Sequence, residues 1–145
     1  MNQSDMILII NDTILNFKKE IKQPVIMFIE QQRFSKLLDL MELKKHLHLT
    51  PCFVAEMKGG NIIYYCEEII QKLINDFSKE KQKIFLEAIT LHELFHIWNK
   101  IPINDAEEAI ASELIVHEEI KKIYPKENKI LNEFQQKINK LPKNH

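Results

Sequence analysis

Glycine is nearly absent: the 145 residues hold only two, Gly59 and Gly60, side by side. A Gly-rich loop that cradles phosphates is excluded, because such loops need several glycines at fixed spacing. Arginine is scarcer still. Arg33 is the only one, so nearly all basic residues are lysines, and a surface that reads phosphates through bidentate guanidinium forks is not expected. Two cysteines, Cys52 and Cys66, are too few for a disulfide framework or a cysteine-based zinc site. Charge of one sign is lacking as well. Against 21 Asp and Glu stand 20 Lys and Arg, for a formal net charge of −1, which gives none of the basic field that attracts nucleic acid. Nor is there a long apolar run. The N-terminal MNQSDMILIINDTILNF has no basic leader, and Asn11 and Asp12 break its apolar stretch, so it reads as neither signal peptide nor membrane span. The expectation is a cytoplasmic protein with no nucleic-acid or membrane partner.

What is present is an ordinary globular balance, 45% hydrophobic and 28% charged residues, long enough for one domain over 1–145 with a real core. Apolar spacing predicts a helix over about 4–21, with Ser4 as its cap, and an apolar, β-branched strand over 24–30. A second helix is expected over 33–47, ended by Thr50-Pro51. The segments 52–57 (CFVAEM) and 61–66 (NIIYYC) flank Lys58-Gly59-Gly60 and read as a hairpin. A three-residue loop pairs Met57 with Asn61 and brings Cys52 opposite Cys66. Helices follow over about 67–77, 79–100 (capped by Ser78), 106–124 (capped by Asp105, stopped by Pro125) and 127–140. No repeat, linker or low-complexity tract divides the chain.

The helix over 79–100 carries His92-Glu93-Leu94-Phe95-His96, an H-E-x-x-H run. Residues four apart share a helix face, so two imidazoles can grip one metal ion from successive turns. Glu93, beside His92, can then reach a water on the open side of that metal and act as its base. Zinc, one ion per chain, is the expected cofactor, and a peptide or protein the expected substrate.

Two histidines leave a catalytic zinc one protein ligand short. Asn99 and Pro102 stand where the metzincin pattern needs Gly and His. The helix after the turn begins DAEEAIASELIVHEEI, and a glutamate from a second helix would complete the set. Here the residues resemble a known family. EEAIAS, 107–112, is similar to the N-E-A-I-S-D segment of thermolysin-like gluzincins, whose Glu binds zinc. It also resembles the E-x-x-A pattern of minimal gluzincins of the ImmA/IrrE type, where a small residue three past the Glu lets two helices approach. That resemblance implies Glu108 as the third ligand, with Ala111 as the small residue and Ser112 where thermolysin-like chains have Asp. A helical wheel offers a rival. Glu113 lies within an apolar arc of Ala106, Ala109, Ile110, Val116 and Ile120, where an unpaired carboxylate is costly. Reach does not decide. The metal should sit roughly 9 Å back from the end of its helix, with Glu108 roughly 4.5 Å and Glu113 roughly 12 Å into the next. The motif reading prefers Glu108, with Asp105 and His117 next in line after Glu113.

Weaker candidates have plainer roles. His117 reads first as a core histidine, Tyr64, Tyr65 and Tyr124 as packing residues rather than oxyanion stabilisers, and His46 and His48 as surface or capping residues. Trp98 should pack the back of the metal helix. The fold class expected is α+β and zincin-like: a small mixed sheet with a β-hairpin packed on the H-E-x-x-H helix, then a glutamate helix. The function that the resemblance implies is a small zinc-dependent metallopeptidase. The alternative is a regulatory or toxin–antitoxin-type protein that binds a partner on the same scaffold with little general proteolysis. A helical interaction protein with no metal is the third possibility.

Overall fold

The computed structural model describes residues 1–40, 51–100 and 105–139. Among them lie six helices and a three-stranded mixed sheet, an α+β fold. Helix α1 (Gln3–Leu15) starts at a capping box in which Asn2 and Asp5 each accept the other's backbone N–H. The cap is thus Asn2 rather than Ser4. The helix also stops six residues short of the expected 21. Asn16 closes it, folding its side-chain amide back onto the Asp12 carbonyl. Phe17 then turns inward to meet Phe95 edge-on at 4.9 Å, and the backbone N–H of Lys18 donates to the Tyr124 hydroxyl. Tertiary contacts outweigh the helical spacing of 16–21. Met6, Ile10 and Ile14, one per turn, are buried against α4, and burying a side chain of this size contributes about 1.5–3 kcal/mol.

Strand β1 (Val25–Phe28) pairs in parallel with β3 (Gly60–Tyr65), and β3 pairs antiparallel with β2 (Cys52–Met57), giving the order β1-β3-β2. Both edges of β3 are therefore used, and β2 is an edge strand that packs on α4. Alternation sends Cys52, Ile63 and Tyr65 to the face that meets α1 and α4. Phe53 and Cys66 point to the other face, where α2 (Gln31–Leu40) supplies Phe34 and Leu38. The expected helix over 33–47 lies within the described residues only as far as Leu40.

The hairpin is one residue tighter than expected. Met57 pairs with Gly60, leaving a two-residue turn of Lys58 and Gly59. Gly59 sits at φ +91°, a backbone region closed to most side chains. Cys52 consequently faces Tyr65, not Cys66. A one-residue slip moves every following side chain to the opposite face, and the two thiols lie on opposite sides of the sheet.

Helix α3 (Glu67–Ile74) leads into α4 (Lys79–Asn99), whose Ser78 cap accepts the Lys81 N–H as expected. Helix α4 spans about 30 Å and packs against α1, α5, α6 and β2. Its buried residues run round the whole helix, from Phe85 to Ile97, so it shows little of the one-sided pattern of a surface helix. Helix α5 (Ala106–Ile123) begins at the Asp105 cap. Pro125 does more than stop it, for it opens α6 (Pro125–Asn139) at a first helical position, where its missing N–H costs nothing. Helix α6 buries Ile130 and Leu131 and sets Phe134 against Phe85.

Candidate metal centre

The site lies between α4 and α5. Helix α4 ends at Lys100, which turns the chain with a left-handed φ of 49°. The turn expected over 101–104 falls outside the described residues. Along α4 the contacts run His92 to Glu113, His96 to Glu113 and Ser112, and Asn99 to Ser112. Position falls on one helix as it rises on the other, so α5 packs antiparallel to α4. Ser112, Val116 and Ile120, four apart, form the buried seam of α5.

Glu113 stands at one margin of that seam and reaches both histidines. Its Oε2 lies 2.9 Å from Nε2 of His92, and its Oε1 lies 2.8 Å from Nε2 of His96. His92, His96 and Glu113 present one donor atom each within 4.8 Å of one another. Zinc with bonds of about 2.0–2.2 Å needs donors about 3.2–3.6 Å apart, a spacing that small side-chain rotations reach from here. Two imidazoles and a carboxylate are also a zinc-type donor set.

Glu108 is not part of this cluster. It lies five residues before Glu113, about 140° round the helix and about 7.5 Å along it, on the other margin of the seam. Its backbone N–H is held by Asp105 Oδ1 at 2.8 Å. The motif preferred Glu108, whereas the antiparallel packing brings the deeper glutamate, Glu113, to the histidines. The apolar arc was itself only partly right, since Ile110 is 62% exposed while Ser112 is buried.

Support for His96 comes from two residues that the sequence marked only as departures from family patterns, Ser112 and Asn99. Ser112 Oγ lies 3.3 Å from Nδ1 of His96, and the Asn99 amide donates to the same Oγ at 3.4 Å. With its proton on Nδ1, His96 donates to Ser112 and leaves Nε2 free to coordinate, the orientation that partners of metal-binding histidines enforce. No local motif signals this pair. It exists because Asn99 and Ser112 meet across the helix interface.

Glu93 is 8% exposed, and its Oε1 lies 3.5 Å from Nδ1 of His92. Burial alone would lower the His92 pKa. Hydrogen bonds and charge from Glu113 and Glu93 overcome that and push it up to about 10. Burial likewise opposes ionisation of Glu113, but His117, His92 and His96 hold its carboxyl far below the usual carboxylate range. The cluster is thus a proton-sharing nest of imidazole and carboxylate, in which a metal would compete with protons for the same nitrogens. His117 stands at its margin, Nε2 at 3.5 Å from Glu113 Oε2 and side chain 42% exposed. It is therefore not the core histidine expected.

The remaining candidates are placed elsewhere. The Tyr65 hydroxyl is buried and bonded to Thr90 Oγ1 at 2.7 Å. Tyr124 closes α5 and receives the Lys18 N–H, and Tyr64 packs on Phe53. Trp98 meets Phe95 edge-on and carries Lys19 over its ring. Asp105 is spent on capping, and His46 and His48 lie outside the described residues. Burial, with the charge of Glu93 adding to it, raises the Cys52 thiol well above its ordinary pKa, which makes a thiolate nucleophile there untenable. Compared with family models, curated proteins and solved structures, the chain matches none.

Proposed function

We propose that this chain is a small zinc-dependent metallopeptidase of the gluzincin type, with His92, His96 and Glu113 holding one Zn²⁺ and Glu93 serving as the base. The observation that carries the reading is the convergence of both Nε2 atoms of the H-E-x-x-H run on one carboxylate from the following helix. Zinc held there supplies Lewis acidity, which brings the deprotonation of water towards neutral pH and polarises a carbonyl. Glu93 takes the proton of the attacking water and returns it to the departing amine nitrogen. His92 and His96 stay neutral, with Ser112 and Asn99 fixing His96. An extended peptide would add to β2, which among the described residues is a sheet edge beside α4, since both sides of β3 are taken.

One observation favours the second reading, a scaffold that binds a partner protein and cleaves little. Ile110 and Leu114 stand 62% exposed on the helix that carries Glu113, and exposed apolar residues in register suit an interface. Turnover separates the two. Protein purified without an affinity tag should hold close to one zinc per chain, and the His92→Ala, His96→Ala double variant almost none. Glu93→Gln should keep the zinc and lose hydrolysis of an unfolded protein by at least about a hundredfold. Equal zinc in wild type and double variant refutes the metal site. Zinc without any wild-type turnover supports the partner-binding scaffold instead.

A further inference from the structure

The metal reading leaves one side chain of the cluster without a task. His117 follows Glu113 by four residues, as His96 follows His92. The two helices therefore oppose two i,i+4 pairs across an antiparallel interface. All three imidazoles turn the same atom to the one carboxylate: Nε2 of His92 at 2.9 Å, of His96 at 2.8 Å and of His117 at 3.5 Å. The rings of His92 and His117 are 5.7 Å apart, centroid to centroid.

The distances differ in kind. The two short ones are hydrogen bonds, which a metal would have to open. The separation between His117 and Glu113 already equals the spacing of two ligands on a tetrahedral zinc ion, about 3.4 Å for bonds of about 2.1 Å. His117 lies outside the group of three whose donors fall within 4.8 Å of one another and would have to swing in to join it, for which its 42% exposure at the solvent margin leaves room. On the same outer flank of α5 lie Ile110 and Leu114, both largely exposed.

Resting on the metal reading above, the geometry points to His117 as a fourth, exchangeable ligand of the same zinc. With His117 bound, four protein side chains close the site, as in structural zinc centres. With it swung out, three remain and one position opens, as in catalytic ones. An incoming substrate carbonyl or partner carboxylate must then displace an imidazole rather than only water. In this exchange the bond between zinc and His117 Nε2 would break as one from zinc to the incoming oxygen forms; no covalent bond and no oxidation state changes, and the displaced imidazole leaves neutral.

Zinc affinity and ligand count test this without relying on activity. Affinity is measured by competition with a chromogenic chelator for wild type, His117→Ala and the His92→Ala, His96→Ala double variant. Imidazoles on zinc are counted by X-ray absorption of the loaded proteins. His117→Ala should weaken zinc binding by at least about tenfold and reduce the count from three to two. Its metal-free melting temperature should stay close to wild type, since the side chain is half in solvent. Two imidazoles in both proteins overturn the inference, whatever the affinity, because His117 then only supports Glu113. If the double variant still binds zinc as wild type does, it is the underlying metal site that fails.

Discussion

Replacing Glu113 and Glu108 by alanine, one at a time, separates the packing of α5 from its local resemblance to gluzincins. The two carboxylates are five residues apart on one helix, yet only Glu113 meets His92 and His96. Four-ligand zinc sites in small peptides bind with apparent free energies of about 10–16 kcal/mol, or about 2.5–4 kcal/mol per ligand. Losing Glu113 should therefore weaken zinc affinity by roughly 10²–10³-fold, at 1.4 kcal/mol per decade. Water refilling the position pulls the result towards the lower figure. Glu108 sits in the first turn of α5, where a carboxylate complements the helix dipole by about 0.3–1 kcal/mol. Its loss should lower stability by at least that amount and change zinc affinity less than about threefold, through screened charge. The assay is chelator competition on tag-free protein, with circular dichroism to show that each metal-free variant keeps its helices. A large fall in the Glu108 variant with Glu113→Ala near wild type would refute the packing argument and restore the motif alignment. Equal small effects in both would mean that neither carboxylate holds the metal.

Ser112→Ala removes the partner of His96 Nδ1 and should weaken zinc affinity by about 10–100-fold, as loss of such supporting partners does elsewhere; an unchanged affinity would leave Ser112 a packing residue. In chelator-treated protein, His92 has a folded pKa near 10 against an ordinary 6.5, so its contribution is fully present below about pH 6.5 and is lost as pH rises towards 10. Glu113 is depressed below its ordinary 4.5, so its contribution is present above that pH and fades as pH falls. The melting temperature of metal-free protein should accordingly decline from pH 7 to 10, and Glu113→Gln should flatten the decline; identical slopes in both proteins would count against the proton-sharing cluster. Mild oxidant should give no intramolecular link between Cys52 and Cys66, because they occupy opposite faces of the sheet; thiol mapping that finds one would restore the three-residue hairpin loop.

Local chemistry carried much of the structure. Ser78 and Asp105 marked two helix starts because a side-chain oxygen there satisfies a backbone N–H that the helix leaves unpaired. Two short apolar runs flanking Lys58-Gly59-Gly60 marked β2 and β3, and the H-E-x-x-H spacing put two imidazoles on one face of α4 before any tertiary contact was known. Among the described residues no helix is long and apolar enough to cross a membrane, in keeping with the broken apolar run at the N-terminus. Where α1 ends was not legible, since residues 16–21 keep helical spacing and the cap at Asn16 is joined by the contacts of Phe17 with Phe95 and Lys18 with Tyr124. The hairpin register turned on whether Gly60 joins the turn or the strand, and sequence permits both.

The third member of the His92, His96 and Glu113 cluster shows the division most clearly. Sequence alone determined that a histidine pair lies on α4 and that carboxylates follow on α5. It could not determine which carboxylate, because that depends on the depth and rotation at which two helices pack. Burial of Ser112, Val116 and Ile120 set the rotation of α5 and turned Glu113 inward, with Ser112 and His117 to either side of it. Those are relations between residues of different turns and different helices. The physical reason they escaped the sequence is that a side chain's neighbours across an interface are fixed by the sum of all contacts along it, not by its own neighbours in the chain.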